Sequence, residues 1–223
     1  MSGFDEDLGV EATRLESVWI GRDNHLLDAL FEFYCPQAKI IIDVCCNERR
    51  MWKGSEWGSR VMYYDKDITM KPDVVARWDA LPNKDRSVDV LVYDPPHLPL
   101  AAASEKSLQR YGQDYGLGFS VKASNVQALF LPFLVEAARV LKKDGLIFAK
   151  IKDYIHNHQY QWNLHAFVDK VRSVEMMPCD LIIKRDPCGG NLKSGRWQKA
   201  HHAKNVHCYW VVIRNSRYCE AKY

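Results

Sequence analysis

The segment Val88-Asp-Val-Leu-Val-Tyr93 runs directly into Asp94-Pro95-Pro96-His97. A nearly unbroken apolar run of this length reads as a buried β-strand of the kind covered on both faces. An acid, two prolines and an imidazole therefore sit where a strand ends, which in an open α/β sheet is where ligands bind. The prolines fix φ and remove two N–H donors, so the carbonyls beside them stay available as acceptors. An acceptor cluster on a rigid corner, next to a flat ring, suits a substrate that presents an aromatic NH2 group.

Working outward, Lys39-Ile-Ile-Ile-Asp-Val44 reads as a first parallel strand with Asp43 at its carboxyl end, and Val61-Met-Tyr-Tyr-Asp65 as a second strand ending on an acid. Residues 73–78 read as a short third strand, followed by Asp79, Ala80, Leu81 and Pro82. Asn24 to Tyr34 spaces its apolar residues as one helical face, closed by Cys35-Pro36. Beyond the central motif, residues 98–124 form a long loop in which Gly112, Gly116 and Gly118 stand among Tyr111, Tyr115 and Phe119. Connections of that length tend to be functional. Residues 125–141 then read as a helix bent near its start by Pro132 and stopped by Lys142-Lys143-Asp144-Gly145, with glycine at the turn. Residues 145–151 form a fifth strand, 164–171 the middle of a helix, 174–183 a sixth strand interrupted at Pro178, and 206–214 a last strand. The last two flank a basic loop and are expected to pair as a hairpin at the sheet edge. Helices alternating with strands make the class α/β with a mostly parallel sheet.

At 223 residues and 47% hydrophobic content the chain fits one domain. Residues 1–18 read as a flexible acidic tail, with Asp5, Glu6, Asp7, Glu11 and Glu16 against Arg14, and residues 19–223 as the domain. The tail lacks the basic and apolar regions of a secretory signal, and no run approaches the ~18 apolar residues of a membrane span. Seven cysteines, an odd number without a CxxC pair, suit a reducing, cytoplasmic setting. Cys188, His201, His202, His207 and Cys208 show no paired ligand spacing, so no metal is expected. A Gly-x-Gly-x-x-Gly fingerprint is absent, which counts against a dehydrogenase. The net charge is only +3, but Lys184, Arg185, Lys193, Arg196, Lys199 and Lys204 stand against Asp186, with Trp197, His201 and His202 among them. A basic segment with an interleaved aromatic suits a phosphate backbone and a base to stack on. The plainer reading is a solvated loop between two strands.

Asp94-Pro95-Pro96-His97, set in this order of elements, resembles the catalytic motif of the class I S-adenosyl-L-methionine-dependent amino-methyltransferases. Those enzymes act on exocyclic nitrogens of nucleic acid bases, chiefly adenine N6. The resemblance covers roughly residues 20–215. It implies a Rossmann-like, seven-stranded, mostly parallel and doubly wound sheet with an antiparallel last strand, and S-adenosyl-L-methionine as cofactor. The implied catalytic group is Asp94, Pro95, Pro96 and His97. Asp94 and the Pro95 carbonyl would hold the target amine, and His97 would stack on the base where the family has Tyr, Phe or Trp. The resemblance also implies a cofactor site: Asp43 toward the methionine ammonium, Cys45 and Asn47 in the first turn, Asp65 on the ribose hydroxyls, Asp79 and Leu81 at the adenine, and Asp94 alongside. The turn Cys45-Cys46-Asn47-Glu48 departs from the pattern in having no glycine, and Asn47 can take the positive φ instead.

A base in a duplex must be extruded and stacked upon. His97, Arg110, Tyr111 and Tyr115 are the candidates around the base, and Lys193, Arg196, Trp197 and Lys199 those along the backbone. With no separate target-recognition domain in view, recognition falls to loops 98–124 and 184–205. A specificity-conferring protein partner or a homodimer is the other way to supply it. Pro187-Cys188 sits in the basic loop rather than at the sheet centre, so no cysteine nucleophile is expected. The expected activity is methyl transfer to an exocyclic base amine, adenine N6 in DNA first. Alternatives are an RNA base amino-methyltransferase, a catalytically inactive methyltransferase-fold binding protein, and a methyltransferase for a small molecule or protein amide.

Overall fold

The computed structural model describes residues 15–95, 123–156, 158–185, 202–203 and 205–216. Its strands are β1 (Val18–Ile20), β2 (Ile41–Asp43), β3 (Val61–Asp65), β4 (Val74–Val75), β5 (Val88–Tyr93), β6 (Leu141–Ile151), β7 (Tyr154–His156), β8 (Gln159–Gln161), β9 (Met177–Arg185) and β10 (His207–Arg214). Eight of them form one sheet in the order β1-β9-β10-β6-β5-β2-β3-β4, and β7 and β8 form a separate antiparallel hairpin. In the large sheet β10 runs antiparallel to β6 and β9, while every other pairing is parallel.

Seven of these strands stand as expected, including the antiparallel last one. The eighth, β1, is an addition. It lies parallel to β9 from Val18 opposite Ile183 to Ile20 opposite Arg185, and Ile183 N donates to Ser17 O at 2.8 Å. The β9–β10 hairpin is therefore not at the edge, and residues 15–18, read from sequence as tail, belong to the sheet margin. A three-residue strand is too short for alternation to reveal.

Why the sheet is doubly wound is visible in β5, where every residue but Asp89 is buried. Val90 and Val92 face a core with Leu26, Leu30 and Phe31 of α1 (Asp23–Tyr34), Trp57 and Trp210. Leu91 and Tyr93 face the other core, with Phe133 of α2 (Phe130–Val140) and Phe167 of α3 (Asn163–Ser173). The Tyr93 and Phe133 rings stack at 3.7 Å between centroids. Asp89 is structural: Oδ2 accepts from the backbone N–H of Lys39 and Ile40, and Oδ1 accepts from Lys142 Nζ at 2.7 Å.

Two local expectations change. A 3-10 segment, Ala123–Leu129, precedes α2, so Pro132 falls in the first turn of the α-helix, where a missing N–H breaks no bond. Gly145 does not cap α2. The helix ends at Val140, Asp144 takes the positive φ of 63°, and a Cβ on Gly145 would lie 3.1 Å from Asp89 O, so close strand approach requires the glycine. Pro178 sits beside the β9–β10 register shift at Val212/Ile213. No helix among the described residues is long and apolar enough to cross a membrane.

Because β2, β3, β5, β6 and β9 are mutually parallel, their carboxyl ends share one edge. Asp43, Asp65 and Asp94 gather there. The segments that begin after Pro95 and after Arg185, and the β7–β8 hairpin, all start from that edge.

Candidate active site

Asp43 ends β2 and is fully enclosed. Oδ1 accepts from Cys45 N at 3.1 Å and Oδ2 from Trp52 Nε1 at 2.7 Å. Burial pushes its carboxyl up to about 7, against the relief those two hydrogen bonds give. Trp52 fills the core against Phe31 and Tyr63. Asp43 thus braces the first turn from beneath and is not among the residues lining the cleft, where a contact with the methionine ammonium, direct or through water, was expected.

The sign of this shift makes stability depend on pH. A group whose folded pKa is raised contributes stability that is fully present below its ordinary value and lost as pH rises through the folded one. The wild type should therefore lose stability relative to Asp43→Asn as pH rises from about 4 to 7, read by urea denaturation at each pH. A constant difference between the two proteins would mean that Asp43 is ionised throughout.

After Asp43 the chain turns through Asn47 at φ 47° and Arg49 at φ 55°. Asn47 takes the left-handed conformation that glycine would otherwise provide, and its Nδ2 donates to Cys45 O at 2.9 Å. Asn47 N donates to Asp65 Oδ2 at 2.9 Å, while Asp65 Oδ1 accepts from Asp67 N at 3.0 Å. Cys45 Sγ accepts from Asp94 N at 3.1 Å. One small residue so ties the turn after β2 to the corner after β5, and Asp65 ties it to β3. Burial raises the Cys45 and Cys46 thiols, the latter to about 12, so both are neutral packing groups. Beside them opens a cleft of about 290 Å³ lined by Cys45, Cys46, Asn47, Glu48, Arg50, Met51 and Asp94.

Asp79 and Leu81 are not on this wall. Arg77 forks onto Asp79 at 2.8 and 2.7 Å, and that pairing holds the carboxyl below its ordinary range. Leu81 is buried, and its N–H donates to Glu136 Oε1 at 2.7 Å. Arg139 grips Glu136, Leu81 O, Asn83 O and Asp85 together, which fixes the 81–85 segment on α2.

Asp94 sits 3.6 Å, Oδ2 to Nζ, from Lys150 near the end of β6. Lys150 also reaches Asp23 Oδ2 at 2.9 Å, and Asp23 Oδ1 lies 3.4 Å from Lys184 Nζ and accepts from Trp210 Nε1 at 3.2 Å. Lys184 is 2% exposed. Burial acts to lower the Lys150 ammonium, but Asp94 and Asp23 more than reverse this and hold it raised. Sequence reasoning missed this cluster. The available signal was a lysine directly after an apolar run in each of two strands, Lys150 after residues 146–149 and Lys184 after residues 181–183, since lysines are almost never buried without a partner. Pro95 is buried. Pro96, His97, Arg110, Tyr111, Tyr115, Lys193, Arg196, Trp197 and Lys199 lie outside the described residues. No group of three or more metal-ligating side chains occurs among the described residues.

No protein-family model matches the chain, and no curated protein matches it by sequence. Solved structures do. A SAM-dependent methyltransferase from Methanosarcina mazei aligns over 84% of this chain and 97% of its own, at 11% identity and a TM-score of 0.53. TrmN from Thermus thermophilus aligns over 85% of this chain at 11% identity and a TM-score of 0.50, and the chain spans about half of it, 48%. With the sheet order above, the chain has the Rossmann-like fold of the class I methyltransferases.

Proposed function

We propose that the protein transfers a methyl group from S-adenosyl-L-methionine to an exocyclic amine of a nucleic acid base, adenine N6 in DNA in preference to RNA. The observation that carries this reading is the meeting of Asp94 and the buried Pro95 with the cleft of the Cys45–Met51 turn, tied by the bond from Asp94 N to Cys45 Sγ. An acceptor corner and a nucleotide-sized turn then share one wall.

The residues present fit the cofactor. Asn47 supplies the positive φ that lets backbone pass a ligand closely. Asp65 is aimed by Asn47 N–H, and each carboxylate oxygen has two lone pairs, so one hydrogen bond apiece still leaves acceptors for two ribose hydroxyls. With Asp43 enclosed, Glu48 is the acid on the cleft wall for the methionine ammonium. When bound, the cofactor would supply a sulfonium methyl group open to attack by an amine, with the thioether S-adenosyl-L-homocysteine as leaving group. Asp94 and the Pro95 carbonyl accept the two amine hydrogens, align the nitrogen and favour its pyramidal form. That interaction strengthens as positive charge develops on nitrogen. His97 provides the stacking face, joined by Arg110, Tyr111 and Tyr115.

The nucleic acid part of the reading draws on the shared edge, from which both the segment carrying Lys193, Arg196, Trp197 and Lys199 and the one carrying Arg110, Tyr111 and Tyr115 begin. Trp162, 64% exposed and against Tyr160, adds an aromatic face after the β7–β8 hairpin. Neutralising Lys193, Arg196 and Lys199 together should weaken DNA binding several-fold and flatten the salt dependence by up to about three units of slope. A triple variant with the original slope would return this loop to the solvated-surface reading. The function as a whole is tested by calorimetric titration with S-adenosyl-L-methionine and by DNA binding across salt concentrations. Saturable binding of both is expected, and absence of cofactor binding would contradict it.

A further inference from the structure

The corner of Asp94 is backed by a partly buried chain of alternating charge that methyl transfer itself does not require. Asp94 and Lys150 are 3.6 Å apart, Lys150 and Asp23 2.9 Å, and Asp23 and Lys184 3.4 Å. The four side chains come from four elements. Asp94 follows β5, Lys150 is in β6, Asp23 opens α1, and Lys184 is in β9. The Trp210 indole, from β10, donates to Asp23 and lies 5.9 Å from Lys150 Nζ. The Trp210 indole needs an acceptor, which Asp23 supplies, but that bond does not call for the two lysines or for the reach to Asp94, and buried ion pairs are often no more stabilising than apolar side chains of similar volume. A line of charges that ends on the amine-binding acid is best explained by what it does to that acid.

We propose that Lys150 is a positioning residue, held by Asp23, which Lys184 in turn pairs, and that it keeps Asp94 ionised and turned as a hydrogen-bond acceptor toward the substrate amine. This rests on the proposed function for the identity of the amine. The charged and titratable groups around Asp94 oppose one another. Among the described residues, partial burial favours a protonated Asp94, Asp43 at the end of β2, Cys45 in the turn and Cys208 on β10 add to this only where ionised, and Lys150 favours the carboxylate. Without Lys150, the partly buried Asp94 would lose a cation that favours its carboxylate, and its proton would be held to higher pH. A protonated Asp94 would offer a donor to an amine that needs acceptors. Asp23 plays the complementary part. It takes most of the contact with Lys150, at the shorter distance, so the lysine orients Asp94 without locking it into a tight pair. The arrangement also makes Asp94 a poor base. It accepts a hydrogen bond from the amine while the nitrogen attacks the methyl carbon and the C–S bond breaks, leaving the thioether S-adenosyl-L-homocysteine, and the cationic methylated nitrogen then gives its proton to solvent rather than to Asp94.

Two substitutions should shift Asp94 in opposite directions. In protein labelled with [γ-13C]aspartate, with the Asp94 signal assigned by its loss in Asp94→Asn, the titration midpoint of Asp94 should rise by about one pH unit or more in Lys150→Met. It should fall in Asp23→Asn, where Lys150 answers to Asp94 alone, and stay near the wild-type value in Lys150→Arg. Lys150→Met leaves Asp23 its partner Lys184, and Asp23→Asn serves should that variant not fold. In methyl transfer to DNA, Lys150→Met should lose at least about tenfold in kcat with the KM for cofactor unchanged. The acid limb of its pH profile should move up with the Asp94 midpoint. An Asp94 midpoint unmoved by these changes would overturn the inference whatever the activity. If the midpoints move as stated but wild type transfers no methyl group to any nucleic acid, the hold of Lys150 on Asp94 stands and the proposed function falls.

Discussion

Asp94→Ala should lower kcat by on the order of a hundredfold to a thousandfold, the size expected when one preorganised group facing a developing charge is lost. Affinity for S-adenosyl-L-methionine should change little, because the side chain of Asp94 is proposed to face the amine. The link between Asp94 and the cofactor turn runs through backbone, from Asp94 N to Cys45 Sγ, and survives truncation of the side chain. The variant should be checked by circular dichroism, since it leaves Lys150 with Asp23 as its remaining close carboxylate partner. His97→Phe should remain active, as a neutral aromatic ring serves the same stacking role. The reverse pattern, an inactive His97→Phe with a normal Asp94→Ala, would recast His97 as a general base.

Asp65→Ala should weaken cofactor binding at least tenfold, about 1.4 kcal/mol. Two losses combine. The ribose hydroxyls lose their acceptors, and Asn47 N–H loses the carboxylate that holds the turn at its positive φ. Calorimetry separates them: Asp65→Asn, which keeps one acceptor oxygen, should fall between wild type and Asp65→Ala. Equal binding by all three would remove Asp65 from the site.

The strands that carry these acids were legible because buried parallel strands are written as continuous apolar runs, and their carboxyl ends must share one edge once the order of elements is known. Val61–Asp65 and Val88–Tyr93 have the bounds read from sequence. The positive φ at Asn47 was legible too, since asparagine is enriched there, whereas that of Arg49, two residues on, carries no such signal. Burial was harder to read. Asp43 looks like any strand-end acid, and only the Trp52 indole folding back over it shows that it is enclosed. The pairing of Lys150 with Asp23 spans 127 positions, and no local pattern connects residues so far apart. Asp79 was read as a ligand contact from its place after the third strand. Its pairing with Arg77, two residues back, was not legible, because a guanidinium fork matches a carboxylate only where the backbone brings the two together.

The central claim is chemical, and one measurement meets it directly. Wild-type protein is incubated with methyl-labelled S-adenosyl-L-methionine and separate pools of DNA and RNA, and the nucleic acid is digested to nucleosides and separated. Label is expected in N6-methyladenosine of the deoxy series, and its initial rate of appearance should fall by on the order of a hundredfold or more when Asp94→Ala replaces wild type. Label on a ring carbon, or none in any nucleoside from a folded protein that binds the cofactor, would contradict the claim.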